Sequence, residues 1–255
     1  MSFTNSYSYK CLLGVQTKKY EEVGPLLLWS VGEKKHFSAG GKIDQAAIDY
    51  LKDYAPSNFH YIDQDNMDIL KNNFKISRSK GVSVILNIKD FSLSGSNMRT
   101  LRQTYNKCYK NNFEILDNYK DINDVKRMLK EWSNDYSDKY FRDFSGKNLY
   151  FFKNNFHKDC SNTFIYYNNE LVSFGILSPE VNGESAYIIR KALYKKLYGL
   201  SEYTDIIVYK KAIEQNISLI NMGRAATKGL LFYKGKFPNS IEELYYDGNI
   251  NNISI

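Results

Sequence analysis

Four cations and three aromatic rings crowd the stretch NMGRAATKGLLFYKGKFP at residues 221–238, directly behind the short apolar run 217–220. Arginine's planar fork takes a carboxylate or phosphate through two parallel hydrogen bonds, which lysine cannot imitate. Arg224 therefore carries the strongest anion-holding chemistry of the segment, and Lys228, Lys234 and Lys236 would surround the same anion. Tyr233 and Phe237 offer faces on which a base or an adenosine can stack. Asn221 and Gly223 stand where the apolar run, read as a strand, ends, and glycine lets a ligand approach the backbone closely. A plainer reading puts Phe232, Tyr233 and Phe237 in the core and turns the lysines to solvent.

Further candidates lie upstream. Arg190 ends the strand-like AYIIR beside the start of a helix, with Tyr187 on the same segment; it either lines a pocket or pairs with a surface carboxylate. Lys191, Lys195 and Lys196 extend its basic patch. In NMRTLRQTYNKCYKN (97–111), helical spacing gathers Met98, Leu101, Tyr105, Cys108 and Tyr109 in one arc and Arg99, Arg102, Lys107 and Lys110 opposite. That cationic face is either a solvated surface or a contact for the phosphates of a nucleic acid or another anion. Asp135, Tyr136 and Glu184 are candidate general bases, and Asn221 and Arg224 candidate groups at the reacting centre. No Ser-His-Asp or Cys-His arrangement is evident, and Cys108 falls on the inward arc.

The elements that must position these residues follow from pattern. GPLLLWSV (24–31) and GVSVILNI (81–88) are apolar runs of strand length bounded by glycine. Asp44 is placed to cap a helix with Ala47, Ile48 and Leu51 inward, and a second helix is expected around 66–74. FEILDN reads as a strand, followed by a helix over 122–136 with Val125, Met128, Leu129 and Trp132 inward. TFIYYNNELVSFGIL reads as two strands about an Asn168-Asn169 turn, since asparagine tolerates the positive φ of tight hairpins. Asn182-Gly183 marks another turn before the strand SAYIIRKAL. A helix over 202–216, with Tyr203, Ile206, Ile207, Ile213 and Ile217 apolar, leads to the short strand ISLIN and then a helix and a strand. This order is an α+β layout around a mixed sheet.

Bulk properties narrow the classes. With 43% apolar and 25% charged residues in 255, the composition is that of a soluble globular protein with a sizeable core. No run approaches the roughly 20 apolar residues that span a bilayer. MSFTNSYSYKCLLG lacks the basic-then-apolar order of a secretory signal. Cys11, Cys108 and Cys160 are scattered and His36, His60 and His157 supply no partner cluster, so no metal site is expected and a reduced, cytoplasmic setting is. The net charge of +7 favours an anionic partner, either nucleic acid, a nucleotide or an acidic membrane surface.

LSGSNMRTLRQTYNKCYKNNFEIL, LKEWSND and NMGRAATKGLLFYKGKFP, within an element order that resembles the GNAT acyltransferase fold, are similar to the C-terminal domain of phosphatidylglycerol lysyltransferases. That family is related to the Fem-type aminoacyltransferases. The resemblance spans roughly 85–250 and implies a tandem GNAT-like fold, with a degenerate N-terminal domain over 1–95 and a catalytic domain over 96–255. It implies transfer of an aminoacyl group from aminoacyl-tRNA to an amine or hydroxyl of a lipid, peptide or small molecule. No tightly bound cofactor is implied, and Arg190 and Tyr187 fall where the family has its substrate pocket. One departure bears on the donor. Acetyl-CoA-dependent GNAT proteins hold pyrophosphate on a small, glycine-rich turn between this strand and helix. Here KALYKKLYGLSEYTD has one glycine, Gly199, among bulky residues, which disfavours CoA at that turn. Two alternatives stay open: an N-acyltransferase using acyl-CoA or an acyl carrier, and a non-enzymatic basic module on RNA or an anionic membrane. Catalysis is expected to need neither a metal nor a covalent enzyme intermediate, because an activated ester needs mainly positioning, oxyanion stabilisation and a base.

Overall fold

The computed structural model describes residues 21–89, 91–135, 146, 148–180, 183–225 and 227–253. Cys11, Tyr136 and Asn182 lie outside the described residues. In chain order the elements begin with β1 (Glu21–Val23), β2 (Leu26–Val31), β3 (Lys34–Ala39), α1 (Gln45–Tyr54), β4 (Ser57–Ile62), α2 (Gln64–Asn73) and β5 (Phe74–Asn87). They continue with α3 (Arg99–Tyr109), β6 (Glu114–Leu116), α4 (Ile122–Asn134), β7 (Ser161–Tyr167), β8 (Glu170–Leu177) and β9 (Glu184–Ala192). The last are α5 (Leu200–Glu214), β10 (Leu219–Arg224), α6 (Lys228–Lys234) and β11 (Ser240–Asn252). The α+β layout of mixed sheet and helices is as expected. The chain divides into two compact units, 1–85 with 221–235 and 240–255, and 86–220 with 236–239.

In the first unit the strand order is β1-β2-β3-β4-β11-β5-β10. β1/β2, β2/β3 and β11/β4 pair antiparallel, whereas β3/β4 pair parallel because α1 carries the chain back between them. Side chains alternate across a strand, so the sheet has two distinct faces. Leu26, Leu28, Phe37, Phe59, Tyr246 and Ile250 meet Ala47, Ile48 and Leu51 of α1 and Met67 and Leu70 of α2 in the core. Leu27 and Trp29 point to the other face, with Tyr61 packed against them. Asp44 caps α1 as expected, accepting from the Ala47 N–H at 2.9 Å, and Asp63 does the same for α2 through Asn66 at 2.8 Å.

The second unit carries the antiparallel order β9-β8-β7-β6. The β7–β8 hairpin turns on Asn168 (φ 50°) and Asn169 (φ 62°), the positive-φ pair that the sequence signals. α4 and α5 pack on β8 and β9, and α3 packs on α5. Val125, Met128, Leu129 and Trp132 of α4 are buried, as their spacing requires. α5 departs from a one-sided pattern: Thr204 and Asp205 are buried beside Tyr203 and Ile206. These polar groups are tolerated because they have partners, Thr204 Oγ1 lying 2.6 Å from Ser173 Oγ. On α3 the inward arc holds for Met98, Leu101 and Cys108, but Tyr109 is 64% exposed. Tyr109 ends the helix, and its ring stacks on Tyr105 at 5.8 Å instead of entering the core.

Phe59 has no exposed surface and its ring stands 6.1 Å from Phe37. Phe59→Ala should lower unfolding free energy by about 3–5 kcal/mol in urea titrations, with the transition still cooperative.

Candidate functional site

The basic segment is a strand end and a short capped helix. Thr227 caps α6 by accepting from the Leu230 N–H at 3.1 Å. Lys234, the last residue of α6, is 7% exposed, and its ammonium donates to the main-chain carbonyls of Met222, Gly223 (2.6 Å) and Arg224 (3.0 Å). Three donors meet three carbonyls, which satisfies a buried ammonium and holds the end of β10. Asn221 serves the same end: its Oδ1 accepts from Ser83 Oγ at 3.0 Å and from the Gly223 N–H at 2.8 Å. Gly223 has φ 72°, and nothing lies within 4 Å of where a Cβ would stand, so this backbone is open to a ligand. The guanidinium of Arg224 follows, half exposed, 3.4 Å from Asp247 Oδ2. Lys228 is exposed and Tyr233 half-buried.

The face of the first unit away from α1 and α2 carries residues that sequence reading did not assemble. Trp29 pairs with His36 across the β2–β3 hairpin, and their rings stack at 5.6 Å. His36 Nδ1 lies 3.1 Å from His60 Nε2, and His60 Nδ1 lies 3.8 Å from Asp247 Oδ1. The expectation that the histidines form no cluster is thus corrected for His36 and His60, which β3 and β4 bring side by side. Burial, then Lys34, lowers the His36 pKa. Burial likewise lowers that of His60, with Asp247 opposing and His36 and Arg224 reinforcing. The two-residue Gly32-Glu33 turn could have signalled the Trp29–His36 pairing, but nothing local announces that β4 runs parallel beside β3. Among the described residues no group of three or more His, Cys, Asp or Glu is arranged to hold a metal.

In the second unit Arg190 grips a buried carboxylate: Nε donates to Asp205 Oδ1 and Nη2 to Oδ2, both at 3.0 Å. Nη2 also donates to the Ser201 carbonyl at 2.8 Å, and the Tyr187 hydroxyl donates to Asp205 Oδ1 at 2.9 Å. Of the two readings of Arg190, the carboxylate-paired one describes this geometry, with Tyr187 and Asp205 buried rather than on the surface. Burial, then Asp205, pushes the Tyr187 phenol well above its usual range. Lys191 is no surface cation: it is 9% exposed, its ammonium lies 3.7 Å from the Trp132 ring centroid, and burial reinforced by Arg190 lowers its pKa to about 7. Asp135 pairs with Lys195 at 2.9 Å, and Lys196 with Glu170. Glu184 opens β9, half-buried. Phe237 has no exposed surface and meets Tyr209 edge-on at 5.2 Å, so its face is spent in the core; Lys236 reaches Glu202 at 3.2 Å.

On α3, Arg99, Lys107 and Lys110 are exposed. Arg102 turns back to the Leu93 carbonyl at 2.6 Å and the Gly95 carbonyl at 3.1 Å, and Lys107 lies 4.8 Å over the Tyr198 ring. Cys108 is a packed thiol, pushed up to about 11 by burial and then by Glu202.

The β9–α5 turn is built for packing. A Cβ on Gly199 would stand 2.4 Å from Thr104 Cγ2, so its bare flank receives α3 and not a ligand. The Lys196 and Leu197 amides donate to the Leu193 carbonyl at 3.0 and 3.4 Å, and the Leu200 amide to Leu197 at 3.2 Å.

The family described as "Phosphatidylglycerol lysyltransferase, C-terminal" matches residues 40–244. No curated protein matches. The structure of L-PGS from Bacillus licheniformis superposes with a TM-score of 0.72 at 15% identity, covering 98% of this chain and 89% of that one. A GCN5-related N-acetyltransferase from Kribbella flavida gives 0.52 at 10% identity, covering 98% and 96%. The crystal structure of FemX gives 0.52 at 11%, covering 98% and 92%. The GNAT-type acyltransferase fold expected from the sequence is the fold of the chain.

Two outcomes follow from this geometry. Asp205→Ala strands the Arg190 guanidinium and the buried Tyr187 hydroxyl, and should cost about 3–5 kcal/mol in denaturant titrations. His36, His60 and His157 all sit below their ordinary value of 6.5, burial being the first cause in each. The unfolded chain therefore binds more protons below that value, so stability is complete above it and is lost as the pH falls. The thermal midpoint should be flat near about pH 7 and decline towards about pH 5.5, and His157→Gln should make the decline shallower.

Proposed function

Because the chain belongs to the phosphatidylglycerol lysyltransferase C-terminal family and is an acyltransferase, we propose that it moves an aminoacyl group from aminoacyl-tRNA to an amine or hydroxyl acceptor. The observation that carries this choice of donor is the β9–α5 turn. A CoA pyrophosphate needs small residues and unpaired amides there, whereas Gly199 is packed against Thr104 and the Lys196, Leu197 and Leu200 amides are already bonded. An ester donor that does not depend on this turn suits the chain better than acyl-CoA.

The opposite arrangement at β10 supports the rest. Gly223 leaves its flank open beside a half-exposed Arg224, a combination suited to a carboxylate or phosphate of the donor or acceptor. The aminoacyl ester is already activated, so binding geometry and charge stabilisation supply most of the acceleration, with no metal and no acyl-enzyme in the reaction as proposed. Asp135 and Glu184 remain the carboxylates proposed to take the acceptor's proton. A lipid acceptor is favoured by α6, where Phe232 (74% exposed) and Leu230 (37% exposed) stand beside Lys228, a pattern that suits peripheral contact with an anionic membrane.

Purified protein should bind charged tRNA in preference to uncharged tRNA at physiological salt, and a chelator should leave transfer unchanged. Arg224→Ala should weaken binding about tenfold or more, the scale of a lost charged hydrogen bond. Displacement by acyl-CoA, or equal affinity for charged and uncharged tRNA, would overturn the choice of donor.

A further inference from the structure

His36, His60, Asp247 and Arg224 form an unbroken line on the face of the first unit away from α1 and α2, with successive separations of 3.1, 3.8 and 3.4 Å. Asp247 is the shared member. Its Oδ1 faces His60 and accepts from the Tyr61 N–H at 3.1 Å, while Oδ2 faces Arg224. A carboxylate placed this way has two cationic claimants, of which one, His60, can change its charge near neutral pH.

We propose that His60, backed by His36, gates an oxyanion site at Arg224: with His60 neutral, Asp247 is the counter-ion of Arg224 and competes with the ligand, and a proton on His60 draws Asp247 away and leaves the guanidinium to a carboxylate or phosphate-type oxyanion. This deepens the proposed function and rests on its reading of Arg224 as the anion holder. No bond is made or broken; one proton is taken up with each anion.

Three further features fit such a site. The Tyr245 hydroxyl, on the same strand two residues before Asp247, is buried with no hydrogen-bond partner among the described residues, and the Arg224 guanidinium stands 6.0 Å from its ring centroid. The ring and its hydroxyl lie over Gly81, where a Cβ would fall 2.1 Å from the ring, so the bare glycine makes the room that this side chain occupies next to Arg224. Beside Arg224, the flank of Gly223 is open.

The groups facing the histidines set the direction. From β2 comes Trp29, with its ring 5.5 Å from His60. From β3 come His36 and Lys34, from β10 Arg224, and from β11 Asp247, which also accepts from the Tyr61 N–H of β4. Burial and the positive neighbours oppose a proton on His60, and Asp247 favours it. An anion on Arg224 cancels the repulsion from that side, so anion and proton each raise the affinity for the other.

Sulfate is the probe, because its charge is constant across the range, with titration calorimetry on the full chain at about pH 5.5 and about pH 8 in buffers of different ionisation enthalpy. The expected result is tighter binding at the lower pH with net proton uptake. Asp247→Asn should raise affinity at the higher pH and flatten the profile, a gain that misfolding cannot mimic. His60→Gln should also flatten it, whereas His157→Gln, in the second unit, should keep it and so exclude a general effect of rising net charge. Equal wild-type affinity at both pH values, or weaker binding by Asp247→Asn than by wild type at the higher pH, overturns the gate. Binding that survives Arg224→Ala, or no binding at all, overturns the anion-holder reading itself. Binding lost in Arg224→Ala but unaffected by pH sinks the gate alone.

Discussion

The buried ammonium of Lys234 holds the end of β10, the strand end that carries Gly223 and Arg224. The carbonyls at the end of β10 need hydrogen-bond partners, because buried carbonyls without them are costly. Lys234 supplies a donor to each of Met222, Gly223 and Arg224 from the far end of α6. The helix is only seven residues long and would be marginal alone, so its Thr227 cap and this anchor fix it. With the strand end held, Gly223 can keep its positive φ and Arg224 its aim. The second unit uses the same logic at the end of β9, where Arg190 crosses to the buried Asp205 of α5 and to the Ser201 carbonyl.

The two glycines of these regions have opposite uses. Gly199 is a packing glycine, whose missing side chain makes room for Thr104, while Gly223 faces open space. A pyrophosphate-binding turn works because its amides are unpaired and its residues small. In this chain Leu193 and Leu200 are buried at the two ends of the turn and anchor it to the core. Here the unhindered backbone lies at Gly223 and not at Gly199.

Much of the fold was legible because its signals are local. Asp44, three residues before Ala47, announces a cap; Asn168-Asn169 announces a hairpin; Val125, Met128, Leu129 and Trp132 repeat at helical spacing. What escaped depends on distant partners. β5 begins at Phe74, well before the apolar run at 81–88, and this start was not legible because FKISRSK is largely exposed, with only Phe74 fully buried. A closing strand is expected from the pattern, but not its place: β11 inserts beside β4, pairing Tyr246 with Ile62. That insertion brings Asp247 to His60 and Arg224, so Asn221, Gly223, Arg224 and Lys234 are visible in the sequence and the His60–Asp247 side of the site is not. Arg190 was visible as a residue of interest, but its partner Asp205 was hidden in a helix that looked amphipathic and is buried nearly all round.

The basic character of the chain looks different once the cations are placed. A protein that holds polyanions by charge alone presents exposed, mutually unpaired cations along one surface. In the segment that first suggested such a surface, Lys234 is buried on carbonyls, Lys236 reaches Glu202 and Arg224 reaches Asp247, while Lys228 is exposed. Lys191, from the other basic stretch, lies against Trp132 in the core. Much of the positive charge is therefore built into specific contacts, where each cation sets the position or the proton affinity of a neighbour. Charge used in that way argues for a shaped site over a simple basic surface, because it is held in place before any ligand arrives.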